Sequence, residues 1–198
     1  MGTWLRDKLV SLGVTNASLV QLGNQPDTDP TLQLPPLVTG GLDVDSTKKT
    51  VLIYSHYDVQ PVSAPSRPVC HMVGLQDRTD IYLLGTQADA TTWAEQNPES
   101  PDPFTLKRIK DGETDKLVGR GATDDKGPIM GWLNVLEAHQ KQNLQLPVNV
   151  RFLFEGMEES GSVGLDDWIG SEVAKGDKSY FAGVDCACIV SISGCCFS

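Results

Sequence analysis

A histidine and an aspartate stand two residues apart directly after an apolar run. The run covers residues 51–55 (VLIYS), and His56 and Asp58 follow it before the chain reaches Pro61. Ligands of α/β sheets gather at the carboxyl ends of parallel strands, and side chains two residues apart along a strand project to the same side. Imidazole is the commonest metal ligand, and a nearby carboxylate can orient it. The pair is a candidate metal site, with a hydrogen-bonded histidine at a strand end as the alternative.

Two adjacent aspartates, Asp124 and Asp125, lie within the glycine-rich segment GRGATDDKGP at 119–128. Such a turn before a helix can bind phosphate, but an acid stands where the dinucleotide fingerprint needs its third glycine. Adjacent carboxylates would also repel a phosphate, so a nucleotide-binding module is the weakest interpretation. Metal binding suits the pair better, whereas a helix cap would account for one aspartate and leave the other unexplained.

Two adjacent glutamates, Glu158 and Glu159, form the third candidate group, within FEGMEESGS at 154–162. Adjacent glutamates can point in different directions, so one can bind a metal while the other transfers protons. Solvated surface glutamates are the alternative. The position of this pair, after an apolar strand and between glycines, favours a functional role.

The elements that must position these groups alternate between strand and helix. Apolar β-rich runs predict three strands, and apolar residues at helical spacing predict three helices. This alternation implies parallel pairing and an α/β class, with a layered sheet and flanking helices. The predicted strands cover residues 50–55, 148–154 and 184–192, and the predicted helices cover 3–13, 126–140 and 162–174.

Composition limits the classes of partner. The 198 residues suffice for one sizeable domain, and the formal net charge of −10 argues against nucleic acid, whose phosphates would be repelled. No apolar run approaches the roughly 18 residues of a membrane span. Five cysteines, an odd number without exported context, indicate reduced thiols and a cytoplasmic protein.

In this order, the segments HYDVQP, GRGATDDKGP and EGMEESGS resemble those of the di-zinc metallopeptidase family that includes cytosolic nonspecific dipeptidase, carnosine dipeptidase and fungal Cys-Gly dipeptidase. The resemblance covers residues 3–62 and 101–189. It implies a zinc-peptidase-like catalytic domain that hydrolyses short peptides. It also implies two bound zinc ions, with manganese as the other candidate metal.

The resemblance implies a role for each candidate residue. His56 and Glu159 would each ligate one metal, and Asp124 would bridge both, because relatives keep an acid at this first position while the second varies. Asp58 would orient His56. Glu158 would be the general base, taking a proton from the water that bridges the metals and passing it to the leaving amine. The peptide bond after Asp124 would be cis.

The sequence also departs from the family. Residues 63–92 or so have no counterpart and show no sustained periodicity, so we expect a protease-sensitive insertion before a strand at 103–106. The tail at 190–198 is atypical, and the family's remaining metal ligands and dimerisation domain have no counterpart. We therefore interpret residues 1–198 as a partial metallopeptidase catalytic domain, without the homodimer expected for full-length relatives. We expect little activity from this chain alone. The alternative is a non-catalytic truncated fragment that binds metal weakly or associates with a full-length relative.

Overall fold

The computed structural model describes residues 1–25, 30–60, 94–95 and 98–189. The expected insertion at 63–92 and the tail at 190–198 lie outside the described residues. The chain divides into two units, one formed by Met1–Asp58 with Thr123–Ser198 and the other by Val59–Ala122. All the candidate site residues belong to the first unit.

A five-stranded mixed sheet forms the centre of the first unit. The elements of this unit are α1 (Gly2–Ser11), β1 (Thr15–Val20), β2 (Leu37–Leu42), β3 (Thr50–His56), α2 (Lys126–Lys141), β6 (Asn149–Glu155), α3 (Leu165–Val173) and β7 (Cys186–Ile189). The strand order is β1-β2-β6-β3-β7, in which β3 runs parallel to β6 and β7 while β2 is antiparallel to β1 and β6. The predicted alternation of parallel strands and helices is confirmed for β3, α2, β6, α3 and β7.

Strands β1 and β2 were not predicted from the sequence. Strand β2 contains Gly40 and Gly41, and glycine weakens the strand signal because it has no side chain to pack. Side chains of neighbouring elements lie close to both glycines. A Cβ on Gly40 would lie 2.8 Å from Val14 Cγ1, and one on Gly41 would lie 2.8 Å from Arg151 Nη1.

The core lies on both faces of the sheet. Alternate residues of β6 point to opposite faces, so Phe152 and Phe154 pack in one apolar cluster while Leu153 packs in the other. The first cluster includes buried residues of α1 and α2, and the second includes Leu165 of α3. In α1, Leu5 and Leu9 are buried, whereas Trp4 and Val10 are 48% and 54% exposed. None of the helices in the described ranges has the length and hydropathy of a membrane span.

The second unit contains a hairpin of β4 (Lys107–Asp111) and β5 (Thr114–Val118). The strand expected at 103–106 is instead a turn. The Asp102 carboxylate accepts hydrogen bonds from the backbone N–H of Phe104 at 3.0 Å and from Thr105 Oγ1 at 2.6 Å. An aspartate that bonds the backbone two residues on favours a turn over a strand, which is why the prediction failed.

Candidate metal centre

The carboxyl end of β3 places His56 against β6. His56 is the last residue of β3, one residue beyond the predicted end, and it pairs with Glu155 in the parallel register. The next residue continues this contact, because the Tyr57 N–H donates to the Glu155 carbonyl oxygen at 2.8 Å. His56 is only 6% exposed, so its ring is held by packing as well as by hydrogen bonds.

Both ring nitrogens of His56 face carboxylates. Nδ1 lies 3.2 Å from Asp58 Oδ1, and Nε2 lies 3.0 Å from Asp124 Oδ1. A histidine whose Nδ1 is fixed by a carboxylate presents Nε2 in a defined direction, which is the usual arrangement of a metal-binding histidine. Asp58 therefore lies where the predicted orienting role requires it, and the role itself stays a prediction.

The charge around His56 changes its protonation. Burial lowers the pKa of His56, but the hydrogen bond to Asp58 and the negative charges of Glu158, Asp58 and Asp125 together raise that pKa to about 9. The ring therefore binds a proton at neutral pH. A metal ion that binds Nε2 must displace this proton, so metal affinity at this histidine falls as the pH falls.

The segment after β6 brings both glutamates to the same edge of the sheet. Glu158 and Glu159 lie in a short 3₁₀ turn, Glu158–Ser160. The Glu159 N–H donates to Asp58 Oδ2 at 3.0 Å, and Glu158 Oε2 lies 3.7 Å from His56 Nε2. One ligand atom from each of His56, Glu158 and Glu159 lies within 4.8 Å of the others, so these three side chains could hold a metal ion. The division of roles between Glu158 and Glu159 stays a prediction.

The two aspartates before α2 have different surroundings. The peptide bond between Asp124 and Asp125 is cis. The Asp124 side chain is 56% exposed and faces His56, whereas Asp125 is only 3% exposed. Asp125 accepts hydrogen bonds from Ser55 Oγ and from the His56 N–H at 3.2 Å. Burial raises the pKa of the Asp125 carboxyl, against the lowering effect of these two hydrogen bonds.

The helix-cap explanation for this pair is wrong. Asp125 occupies the N-cap position of α2, but its side chain makes no capping hydrogen bond. Its carboxylate instead binds the end of β3, as the bonds from Ser55 and His56 show. Sequence reasoning missed this contact, and the available signal was a small hydroxyl residue directly before the histidine.

Glu155 is a residue near the site that sequence reasoning did not identify. It ends β6 and is fully buried, and its Oε1 accepts hydrogen bonds from Tyr54 OH and from Ser162 Oγ at 2.9 Å. Burial raises the pKa of the Glu155 carboxyl more than these hydrogen bonds lower it. The signal in the sequence was an acid at the end of the apolar run NVRFLFE.

The donor set fits a divalent metal. One imidazole with several carboxylates is typical of zinc sites and is also compatible with manganese. The side chains of Asp124 and Glu158 are 56% and 42% exposed, so an ion bound here would be accessible to water and to a substrate. The inner groups, His56 and Asp58, have side chains only 8% and 18% exposed.

A family model matches the part of the chain that carries the candidate residues. The model of peptidase family M20/M25/M40 matches residues 52–192, which include all three candidate motifs. The chain belongs to this family.

Curated relatives in the M20 family support the resemblance seen in the sequence. The Cys-Gly metallodipeptidase DUG1 of Candida albicans is 44% identical over 187 residues, which are 93% of this chain and 31% of that protein. Human Beta-Ala-His dipeptidase is 38% identical over 181 residues, which are 90% of this chain and 28% of the relative. The predicted membership in a dipeptidase-containing metallopeptidase family is confirmed, and the chain spans less than a third of these relatives.

Solved structures of M20 relatives share the fold. The di-peptidase Dug1p from Saccharomyces cerevisiae matches with a TM-score of 0.69 and 34% identity, over 96% of this chain and 32% of that chain. Human carnosine dipeptidase 1 matches with a TM-score of 0.66 and 35% identity, over 94% of this chain and 31% of that chain. The predicted layered α/β fold is therefore confirmed as the corresponding part of an M20 peptidase.

Proposed function

We propose that this protein hydrolyses short peptides in a metal-dependent reaction of the dipeptidase or carboxypeptidase type. The observation that carries the proposal is the convergence of His56, Glu158 and Glu159 within 4.8 Å, beside Asp124, in a chain of the M20 family. Relatives named as a Cys-Gly metallodipeptidase and a Beta-Ala-His dipeptidase support a short peptide as the substrate. The odd number of cysteines, five, supports a cytoplasmic, reducing location.

Two divalent ions, zinc or manganese, would be held by His56, Asp124 and Glu159, with Asp124 shared between them. When bound, they would polarise the scissile carbonyl and lower the pKa of an attacking water towards about 7. Asp58 would keep the His56 ring oriented through Nδ1.

Glu158 would act as the general base. Its carboxylate is partly exposed and lies at the edge of the group, so it can reach both solvent and a substrate. It would accept a proton from the attacking water and deliver that proton to the amine of the leaving amino acid. A positioned carboxylate of this kind contributes about 10²–10⁴-fold to a rate.

The chain alone should have weak activity. His56 and Glu159 would each serve one ion and Asp124 both, which gives two protein ligands per ion, whereas catalytic zinc usually has about three. We expect turnover by the 198-residue chain to be more than about tenfold below that of an intact relative. A chain that instead binds metal weakly, or associates with a full-length relative, without turnover would be the non-catalytic alternative.

A chimera tests the proposal. Residues 1–189 would be joined to the remaining part of the Candida albicans relative, and hydrolysis of Cys-Gly would be measured with zinc or manganese after treatment with a chelator. We expect turnover that disappears with the chelator and returns with the metal. Ser160→Ala, in the same turn, is the matched control and should leave turnover unchanged. Turnover that resists chelation, or a folded chimera that binds metal and hydrolyses no dipeptide, would contradict the proposal.

A further inference from the structure

Glu155 is a buried acid that none of the roles above uses. We propose that it is a positioning residue, which fixes the segment carrying Glu158 and Glu159 relative to His56 and thereby sets the metal affinity of the site. This inference rests on the proposed function, because it assigns Glu155 to the same metal centre.

Stability of the fold does not explain an acid at this position. Glu155 is fully buried, and among the described residues it forms no ion pair. A buried carboxylate costs free energy, and replacing buried charges with apolar side chains is often neutral or stabilising. Leu153, two residues earlier and on the same face of β6, is only 3% exposed, so this face of the strand accepts an apolar side chain. The carboxylate must therefore be explained by what it binds.

Its hydrogen bonds join the two sides of the candidate centre. Oε1 accepts from Tyr54 OH, two residues before His56 on β3, and from Ser162 Oγ, three residues after Glu159. A single carboxylate oxygen thus links the strand that presents the histidine to the end of the segment that presents the glutamates. The two sides also meet where the Glu159 N–H donates to Asp58 and where Glu158 Oε2 lies 3.7 Å from His56 Nε2, but both of these contacts involve the candidate site residues themselves.

The segment that carries Glu158 and Glu159 ends in a hydrogen-bonded turn at Ser162. Its φ is +54°, a left-handed conformation that is uncommon for a residue with a side chain. Its N–H donates to the Met157 carbonyl at 2.7 Å, and the Gly161 N–H donates to the Glu158 carbonyl at 3.0 Å. The bond from Ser162 Oγ to Glu155 ties this closed turn to β6. Metal ligands must be held within about 0.5 Å of their productive geometry, so we expect this hydrogen bond to contribute to metal affinity.

The test measures metal binding by the full 198-residue chain, without any peptide. Zinc affinity is measured by competition with a chelator, and cobalt(II) absorption reports the coordination geometry. Glu155→Leu removes the acceptor, while Glu155→Gln keeps a carbonyl oxygen for both hydroxyl donors. We expect Glu155→Leu to weaken zinc binding by about 10–100-fold and to change the cobalt spectrum, and Glu155→Gln to restore most of both. The Tm of metal-free Glu155→Leu should equal or exceed that of the wild type.

Two variants of Ser162 separate the effect of its hydroxyl on zinc affinity from the effect of its backbone conformation. Ser162→Ala and Ser162→Gly both remove the hydroxyl, but glycine favours the positive φ, so a shared loss of zinc affinity assigns the effect to the hydrogen bond. Ser160→Ala, an exposed serine in the same turn, is the matched control. Wild-type zinc affinity in Glu155→Leu, or a Tm that falls in parallel with affinity, would overturn the inference while the proposed function stands. A wild-type chain that binds no zinc would also overturn the inference, whereas the proposed function would still be decided by the chimera.

Discussion

The amino ends and the carboxyl ends of the parallel strands, called here the amino edge and the carboxyl edge of the sheet, carry similar side chains in different electrostatic surroundings. At the amino ends of the parallel strands, Lys49 Nζ lies 2.5 Å from Asp185 Oδ1, and Arg151 Nη1 lies 2.5 Å from Asp43 Oδ1. Each of these acids has its own basic partner. The amino edge is therefore close to neutral and needs no ion.

At the carboxyl edge, several acids share one imidazole. Asp58, Asp124 and Glu158 all lie within 3.7 Å of a His56 ring nitrogen. Acids that outnumber their basic partners raise the proton affinity of the imidazole, as the His56 pKa of about 9 shows, and they attract a cation. An excess of negative charge, and not the number of charged residues, therefore distinguishes the edge that carries the candidate metal centre.

The largest difference between the edges should appear in catalysis. In the chimera with the Candida albicans relative, Glu158→Gln should lower turnover of Cys-Gly by about 10²–10⁴-fold, because it removes the proton acceptor and keeps the shape of the side chain. Metal content should be unchanged. The measurements are steady-state kinetics and metal analysis of the purified protein.

Asp185→Asn at the amino edge is the matched control and should keep wild-type turnover. If Glu158→Gln loses metal while Glu159→Gln retains it, the roles assigned to the two glutamates are reversed.

Metal affinity should show the next largest difference. Asp58→Asn should weaken zinc binding by the 198-residue chain about 10–100-fold, since the amide cannot accept from both His56 Nδ1 and the Glu159 N–H. Competition with a chelator measures this change, and Asp185→Asn again serves as the control. Equal zinc affinity in Asp58→Asn and the wild type would show that the carboxylate does not orient the histidine.

The amino edge should instead control stability. Asn149 is 5% exposed, and its side chain bonds the N–H groups of Val44 and Asp45 and the carbonyls of Asp45 and Lys48. Asn149→Ala should lower the free energy of unfolding by about 2 kcal/mol, because buried backbone groups lose their partners. Urea unfolding of the metal-free chain measures this. A variant of normal stability with impaired zinc binding would contradict the separation between the edges.

The smallest effect is expected for the exposed ion pair of the amino edge. The Lys49 side chain is 78% exposed, and such pairs contribute little in physiological salt. Lys49→Ala should leave both the Tm and the zinc affinity unchanged within measurement error. A clear drop in zinc affinity would show that the amino edge influences the site.

The sequence predicts those parts of the fold whose signal is local. Apolar runs and helical spacing located β3, α2 and β6, which carry or adjoin the candidate motifs. Strand β2 has two glycines inside it, so its strand character depends on its pairing with β1 and β6, which no local pattern reveals. The predicted strand at 103–106 was wrong for a related reason, since a hydrogen bond to the Asp102 side chain stabilises a turn there.

The candidate site shows the same limit. The motifs predict His56, Asp124 and Glu159 as candidate ligands, because metal-binding residue types that follow a strand or precede a helix are visible in the sequence. The partners of Asp125 and Glu155 were missed, since Ser55 and Tyr54 meet them only across the folded sheet, 70 and 101 residues apart in the chain. Residue type and position along a strand do not indicate which neighbouring strand or helix supplies the hydrogen-bond partner of a side chain.

One measurement tests the central claim most directly: zinc affinity and cobalt(II) absorption of the 198-residue chain, compared between the wild type, His56→Ala and His139→Ala. His139 lies on α2 and bonds the Val135 carbonyl, so it is a histidine control away from the carboxyl edge. We predict that His56→Ala weakens zinc binding by at least about tenfold and removes the imidazole contribution to the cobalt spectrum, while His139→Ala matches the wild type. Unchanged zinc affinity and an unchanged cobalt spectrum in His56→Ala would contradict the assignment of the metal centre to this edge.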